Sequence, residues 1–312
     1  KFNIMRKIYL IIIVLIFASA NKLSTQQLPL YSQYMFNRML LNPAVTGSTD
    51  AIDLRLTARQ QWVGIDKGPS TQLISGHLSL VNGTMGVGGI IFADRFGPET
   101  KIGLQANYAY ILPVFKESAK LAFGLSLQVF QYQMNYANLT YLDAGDPELN
   151  FNKENAWLPE SDFGIYLYST KYFAGISGNQ LLELPVKIGT SYIDRSNTST
   201  LSRHYHLLGG YMFNLNTNFA LEPSVLLKTT FKSPFQADIN LRGIYKKDYW
   251  LGFSYRTDGA IVSLLGMSYK DFIFGFAFDY ATSKISNFQA GTFEVMLGYN
   301  IHRSEYSGRS MF

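Results

Sequence analysis

Along this chain apolar and polar positions alternate with a period of two, the period at which a β-strand sends successive side chains to opposite faces. In "KDFIFGFAFDY", Phe272, Phe274, Phe276, Phe278 and Tyr280 share one face, and Ile273, Gly275, Ala277 and Asp279 take the other. "KIGLQANYAY" sets Ile102, Leu104, Ala106, Tyr108 and Tyr110 against Gly103, Gln105, Asn107 and Ala109. "KLAFGLSLQVF" sets Leu121, Phe123, Leu125, Leu127 and Val129 against Ala122, Gly124, Ser126 and Gln128. The same split recurs in "DINLRGIY" and "TFEVMLGYN". One face is large and apolar, whereas the other is rich in Gly, Ala, Ser, Gln and Asn. A soluble sandwich would fill its exposed face with Lys, Glu and Thr. A lipid-facing wall around a polar lumen fits better, and such a wall must close, because an open sheet edge in hydrocarbon leaves backbone groups unpaired.

Segments of this kind, bounded by turn signals, predict strands near 51–62, 70–81, 84–94, 101–114, 119–136, 161–169, 171–179, 203–215, 218–230, 235–246, 248–257, 260–270, 271–282 and 290–301. The fold class they imply is all-β, a transmembrane barrel of about fourteen antiparallel strands, an even number as in single-chain bacterial barrels. Val81-Asn82-Gly83-Thr84, Lys246-Lys247-Asp248 and Asp258-Gly259 read as short turns. The polar stretches 137–160 and 184–203 read as long surface loops. "MGVGGI", Met85–Ile90, lies inside a strand pattern, where its glycines relieve crowding in the wall rather than cradle a phosphate.

The chain start changes the picture. Arg6 and Lys7 precede an apolar run from Ile8 to Phe17 and then Ala18-Ser19-Ala20, the layout of a secretory signal peptide with Met5 as its start. The run is about half the length a membrane-spanning helix needs. The organisation predicted is a leader at 1–20, an N-terminal periplasmic or plugging segment at 21–50, a barrel at 51–301 and a tail at 302–312. Removing the leader takes Lys1, Arg6 and Lys7 from a net charge of +5, so the basic balance is partly the leader's own. Charged residues make up 16% of the chain against 47% apolar, too few for a typical soluble surface. There is no cysteine, which excludes a disulfide framework and a thiolate zinc site. No basic tract with interleaved aromatics supports nucleic-acid binding.

Candidate chemistry is sparse. His204 and His206 lie two apart and would face the same way, without an evident third metal ligand. The acidic set from Asp143 to Glu154 lacks the spacing of a calcium loop. No nucleophile elbow, His-Glu-x-x-His or phosphate loop appears, so neither an enzyme nor a cofactor is expected. The better candidates are charges on the lumen face: Asp53, Arg55 and Arg59 on the first strand, Asp238 and Arg242 on a later one, and Glu294. Inside a barrel such groups line a water path or pair with one another and with a plug.

One stretch stands outside the alternation. "YSQYMFNRMLLNPAVTGS", Tyr31–Ser48, places Tyr31, Met35 and Met39, with Tyr34 and Arg38 beside them, at helical spacing, and Pro43 restricts Asn42. A short helix is predicted, unstable alone and needing a wall to pack on. The candidate plugging or partner-binding residues are Tyr31, Tyr34, Phe36, Asn37, Asn42 and Pro43, at the periplasmic end of the barrel.

"YSQYMFN…LNPAVTGS", "RQQWVGI…GPSTQLISGHLSL", "RHYHLLGGYMFNLN", "LEPSVLLK", "SPFQADINLRGIYKKDYWLGFSYR" and "GFAFDYATSKI" together resemble the PorP/SprF family of Bacteroidota, in order and over nearly all the chain behind the leader. The resemblance implies an outer-membrane barrel, seated in lipid, of the type IX secretion system and gliding motility. It implies retention of a secreted adhesin or cargo at the cell surface through a C-terminal domain, with contacts in some members to the periplasmic machinery and without enzymatic activity. The departure is at Thr292-Phe293-Glu294, where the family usually carries Ser-His-Glu, so only Glu294 carries over. The alternative on the residues alone is an outer-membrane channel or hydrophobic-solute transporter, which would need a continuous open lumen.

Overall fold

The computed structural model describes residues 31–80, 83–116, 118–135, 153–186, 200–231 and 233–302. The leader, the tail beyond His302, the acidic set before Lys153 and the middle of the 184–203 loop lie outside the described residues. No helix among the described residues is long and apolar enough to cross a membrane; the strands do this.

The wall runs β1 (Ala51–Gln60), β2 (Ser70–Leu80), β3 (Met85–Phe96), β4 (Glu99–Val114), β5 (Ala119–Asn135), β6 (Lys153–Tyr168), β7 (Tyr172–Asn179), β8 (His204–Tyr211), β9 (Phe213–Asn214), β10 (Phe219–Thr229), β11 (Gln236–Tyr245), β12 (Tyr249–Arg256), β13 (Ala260–Tyr269), β14 (Phe272–Ala281) and β15 (Thr292–His302). Neighbours pair antiparallel throughout, and β1 pairs with β15 from Ala51↔His302 to Gln60↔Phe293. With that pairing and β10–β11 the sheet closes on itself. β8 and β9 both pair with β10 and form one interrupted strand, so the fifteen segments make a fourteen-stranded barrel. The interruption has a local cause. The ladder to β8 ends at Ser224↔Gly210 and the ladder to β9 starts at Leu221↔Phe213, and Pro223, between them, has no N–H to donate.

The faces fall as the alternation predicts. On β1, Asp53, Arg55, Thr57 and Arg59 are buried inside while Leu54 and Leu56 are exposed outside. On β14, Ala277 and Asp279 are buried inside, and Phe274 and Tyr280 are exposed. Ile239 and Leu241 on β11, and Val295 and Leu297 on β15, are likewise exposed, the outward apolar band that lipid requires.

Two expectations are corrected. The loop predicted at 137–160 is shorter than expected, because β6 begins at Lys153 and pairs with β5 from Asn135↔Lys153 onward. Leu158 and Glu160 point inward while Trp157 is exposed, an alternation hidden in the sequence by Pro159. Pro159 is tolerated because β7 pairs with β6 only from Phe163 onward, leaving an edge beside it. The second correction concerns the inner face, which is not uniformly polar. Leu73, Ile90, Ile111, Leu208, Leu226, Val262 and Leu264 are buried and cluster with Tyr34, Met35, Met39, Leu41, Ala44 and Val45 of the N-terminal segment. The barrel therefore holds an apolar core on its axis.

Leu265, 52% exposed at the middle of β13, faces lipid. Leu265→Arg is expected to lower stability by about 2–4 kcal/mol in urea unfolding from lipid vesicles. A neutral result would show that this face is not in hydrocarbon.

Candidate functional site

Residues 31–48 run inside the barrel. They do not form the helix their spacing suggests. Phe36 N–H bonds to Gln33 O and Asn37 N–H to Tyr34 O, two tight turns, followed by single 3₁₀ turns at Arg38–Leu40 and Pro43–Val45. Asn37 sits at φ −138°, outside the helical region, and its side chain donates to Ser75 Oγ on β2 at 2.7 Å. Contacts to the wall replace the internal ladder.

Those contacts go round the cylinder. At one end of the segment, Glu294 on β15 accepts hydrogen bonds from Ser32 N–H at 2.7 Å and Gln33 N–H at 2.9 Å. Ser32 Oγ donates to Asp279 on β14 at 2.7 Å. Tyr34 meets Asn240 on β11 through its hydroxyl. Phe36 packs on Trp250, with ring centres 4.8 Å apart, and lies 4.7 Å from the Arg242 guanidinium. The Arg38 guanidinium stacks 3.8 Å over the ring of Phe173 on β7. Asn42 is fully buried; its amide donates to Ile165 O at 3.0 Å and Ile176 O at 3.2 Å, and its carbonyl accepts from Ala44 N–H at 2.9 Å. Pro43 starts the second 3₁₀ turn, where its missing N–H leaves no unpaired donor. At the far end Gly47 N–H bonds to His77 Nδ1 at 3.2 Å.

The approach is close enough to require glycine in the wall. A Cβ at Gly124 would collide with Pro43 and Ala44, and one at Gly86 would collide with Thr46 and Gly47. At Gly86 the crowding that "MGVGGI" relieves thus comes from this segment, while at Gly88 it comes mainly from Gly76 and His77 of β2.

The predicted lumen charges all face inward and all pair. Arg59 bridges Asp279 at 2.7 Å and Glu294 at 3.0 Å. Arg55 pairs with Asp53 at 2.7 Å and donates to Asn300 Oδ1 at 2.9 Å. Asp238 accepts from Lys228 at 2.9 Å and Arg256 at 3.4 Å, and Arg256 also reaches Asp279 at 3.4 Å. Arg242 pairs with Glu222 at 2.8 Å, and Arg38 approaches the same carboxylate at 3.4 Å. Asp53 and Arg55 stand apart from the segment; the others surround it. Glu222, Lys228, Arg256, Asp279 and Ser32 were not singled out from sequence, although each of the four charged ones lies on the polar face of its strand. Cations and carboxylates alternate through this network, so the interior is nearly compensated. It is unlike the one-signed rings that select ions in channels.

A family model for type IX secretion system membrane proteins of the PorP/SprF type matches residues 23–299. The chain belongs to the PorP/SprF family. No curated protein matches it. Among solved structures, the CymD monoaromatic hydrocarbon channel aligns with a TM-score of 0.51 at 12% identity, covering 88% of this chain and 94% of that one. A FadL homologue from Pseudomonas aeruginosa aligns with a TM-score of 0.49 at 10% identity, covering 84% of this chain and 93% of that one. The likeness to CymD is one of fold, the outer-membrane barrel, and this PorP/SprF protein is a bacterial outer-membrane protein.

Other candidates resolve simply in this PorP/SprF chain. His204 and His206 both point inward, 8% and 4% exposed. His206 Nδ1 lies 2.9 Å from Asn179 Oδ1, and no group of three metal-ligating side chains occurs among the described residues. Phe293 faces outward against Phe278 with ring centres 5.1 Å apart.

Two substitutions test how the segment is held. Glu294→Ala removes the acceptor of two backbone N–H groups and one partner of Arg59; a loss of about 3 kcal/mol is expected in urea unfolding, with new protease cleavage between Tyr34 and Ser48. Gly124→Val is expected to leave the heat-modifiable mobility of the barrel intact while exposing Pro43–Ser48 to protease. Unchanged digestion in both variants would show that these contacts do not hold the segment.

Proposed function

We propose that this protein is a closed barrel that retains a secreted adhesin or cargo at the cell surface by binding its type IX C-terminal domain, in the setting of protein secretion and gliding motility. One observation carries the reading: residues 31–48 occupy the lumen and are tied to β2, β6, β7, β11, β14 and β15. A lumen filled in this way suits a tether, which needs no open path, and not a diffusion channel. Family membership supports the link to the secretion system. The turns at 169–171, 246–248 and 270–271, together with the start of β1 and the end of β15, lie at one end of the cylinder, and this end faces the periplasm under the rule for bacterial barrels. The 61–69 and 282–291 connections then face outward, where cargo would dock. Periplasmic secretion components would meet the short-turn end.

In planar bilayers the purified protein is expected to show no steady conductance, and deletion of residues 28–43 is expected to produce it. Pull-down from the native envelope is expected to recover a large secreted protein bearing a type IX C-terminal domain. A conducting wild-type protein without such a partner would favour the channel or hydrophobic-solute reading instead.

A further inference from the structure

A cavity of about 380 Å³ lies between the N-terminal segment and the long-loop end of the barrel. Tyr31, Leu40 and Leu41 form its floor. Its size falls in the range of small-molecule sites, which are mainly apolar with a few converging polar groups. Phe92, Phe130 and Leu226 give it an apolar wall, and the last two are 2% and 1% exposed.

Most of the polar groups that reach this cavity are already committed. Lys228 is held by Asp238, His206 by Asn179, and Asp162 by Ser126 and the Gln180 N–H. Two are not. Among the described residues, Lys101 has no carboxylate within ion-pair distance; its ammonium lies 5.6 Å from the centre of the Tyr132 ring. Asp94, its cross-strand neighbour, accepts the Thr71 hydroxyl. His204 is more than nine-tenths buried and lines the cavity; the Ser202 backbone approaches its ring, but neither ring nitrogen makes a hydrogen bond of ordinary geometry among the described residues. A buried donor without a partner is costly and calls for an acceptor.

We propose that this cavity binds a carboxylate carried on an apolar body, with Lys101 and His204 taking the carboxylate and Phe92, Phe130 and Leu226 the body. An ammonium and an imidazole N–H together match the two oxygens of a carboxylate, and charge-assisted bonds in a partly dry site are the strong ones. A phosphate would ask for more donors than these two supply. The carboxylate has two possible sources, a free organic acid or the C-terminal residue of a peptide entering from the loop end. The site stands whether or not the protein retains cargo, because it rests on groups above the segment and not on the segment's closure of the lumen.

Isothermal titration of the full-length protein in lipid nanodiscs tests this with matched pairs. The free-acid arm compares 3-phenylpropionate with 3-phenylpropanamide. The peptide arm compares acetyl-Ala-Phe as the free acid with its C-terminal amide. In at least one arm the acid is expected to bind and its amide to bind about tenfold more weakly or worse, the loss of one charge-assisted bond. The arm that binds more tightly identifies the source. Lys101→Gln is expected to narrow the gap between acid and amide, and His204→Ala to weaken both, because the amide oxygen also accepts from the imidazole N–H. Because the acid–amide comparison is made on the wild-type protein, it does not depend on the variants folding. Acids and amides binding equally, or no acid binding in either arm, would overturn the proposal.

Discussion

The structure depends on one constraint: in hydrocarbon, every backbone N–H and C=O of the wall must find its partner in a neighbouring strand. The ten-residue ladder between β1 and β15 meets it by joining the two ends of the sheet. Once that seam is closed the remaining features follow. Side chains alternate between lipid and lumen, most of the aromatic and large aliphatic ones go outward, and charges such as Asp53, Arg55, Arg59, Asp238, Asp279 and Glu294 are driven into the interior. The wall tolerates Pro159 and Pro223 only where a neighbouring strand is missing or broken.

Closure creates a second problem. An eight-stranded barrel can fill its interior with its own side chains, and sixteen or more strands leave a water-filled channel. Fourteen strands whose inner faces carry Gly, Ala and Ser would leave space on the axis. The N-terminal segment takes that space. It supplies Met35, Met39, Leu41 and Val45 to an apolar core whose other half is the inner wall. Its backbone is met by the Glu294 carboxylate, the Ser177 hydroxyl and the His77 ring, and by its own tight turns. In this sense the segment is the missing centre of a globular core, packed as protein interiors are, and the small residues of the wall are the shape left for it.

The charges around the segment fit the same picture. Arg59, Arg256 and Lys228 are arranged against Glu294, Asp279 and Asp238 so that each buried cation meets a carboxylate within 3.4 Å. Breaking one member of such a buried set leaves an uncompensated charge and costs more than the pair contributes when intact. The network therefore resists partial rearrangement. A filled, charge-compensated lumen is what a surface tether can use, since its work is done at the loops, and what a transporter would have to dismantle in each cycle.

Alternation along "KDFIFGFAFDY" and its relatives, with turn signals between, determined the fold class, the inward set and the strand number, because period two and the need for closure leave few other solutions. It also placed Asp53, Arg55, Arg59, Asp238, Arg242 and Glu294 on the lumen face. The strand limits at β6 were hidden by Pro159, whose tolerance depends on a neighbour that sequence does not show. Which charge meets which was likewise not legible. Glu294 and Arg59 face each other across the β1–β15 seam, while Asp238 and Lys228 lie on adjacent strands ten residues apart, and these partnerships follow from register. The conformation of Tyr31–Ser48 was decided by the tertiary structure alone: its helical spacing is real, but the wall offers its backbone and its asparagines better partners than a helix of three turns could offer itself.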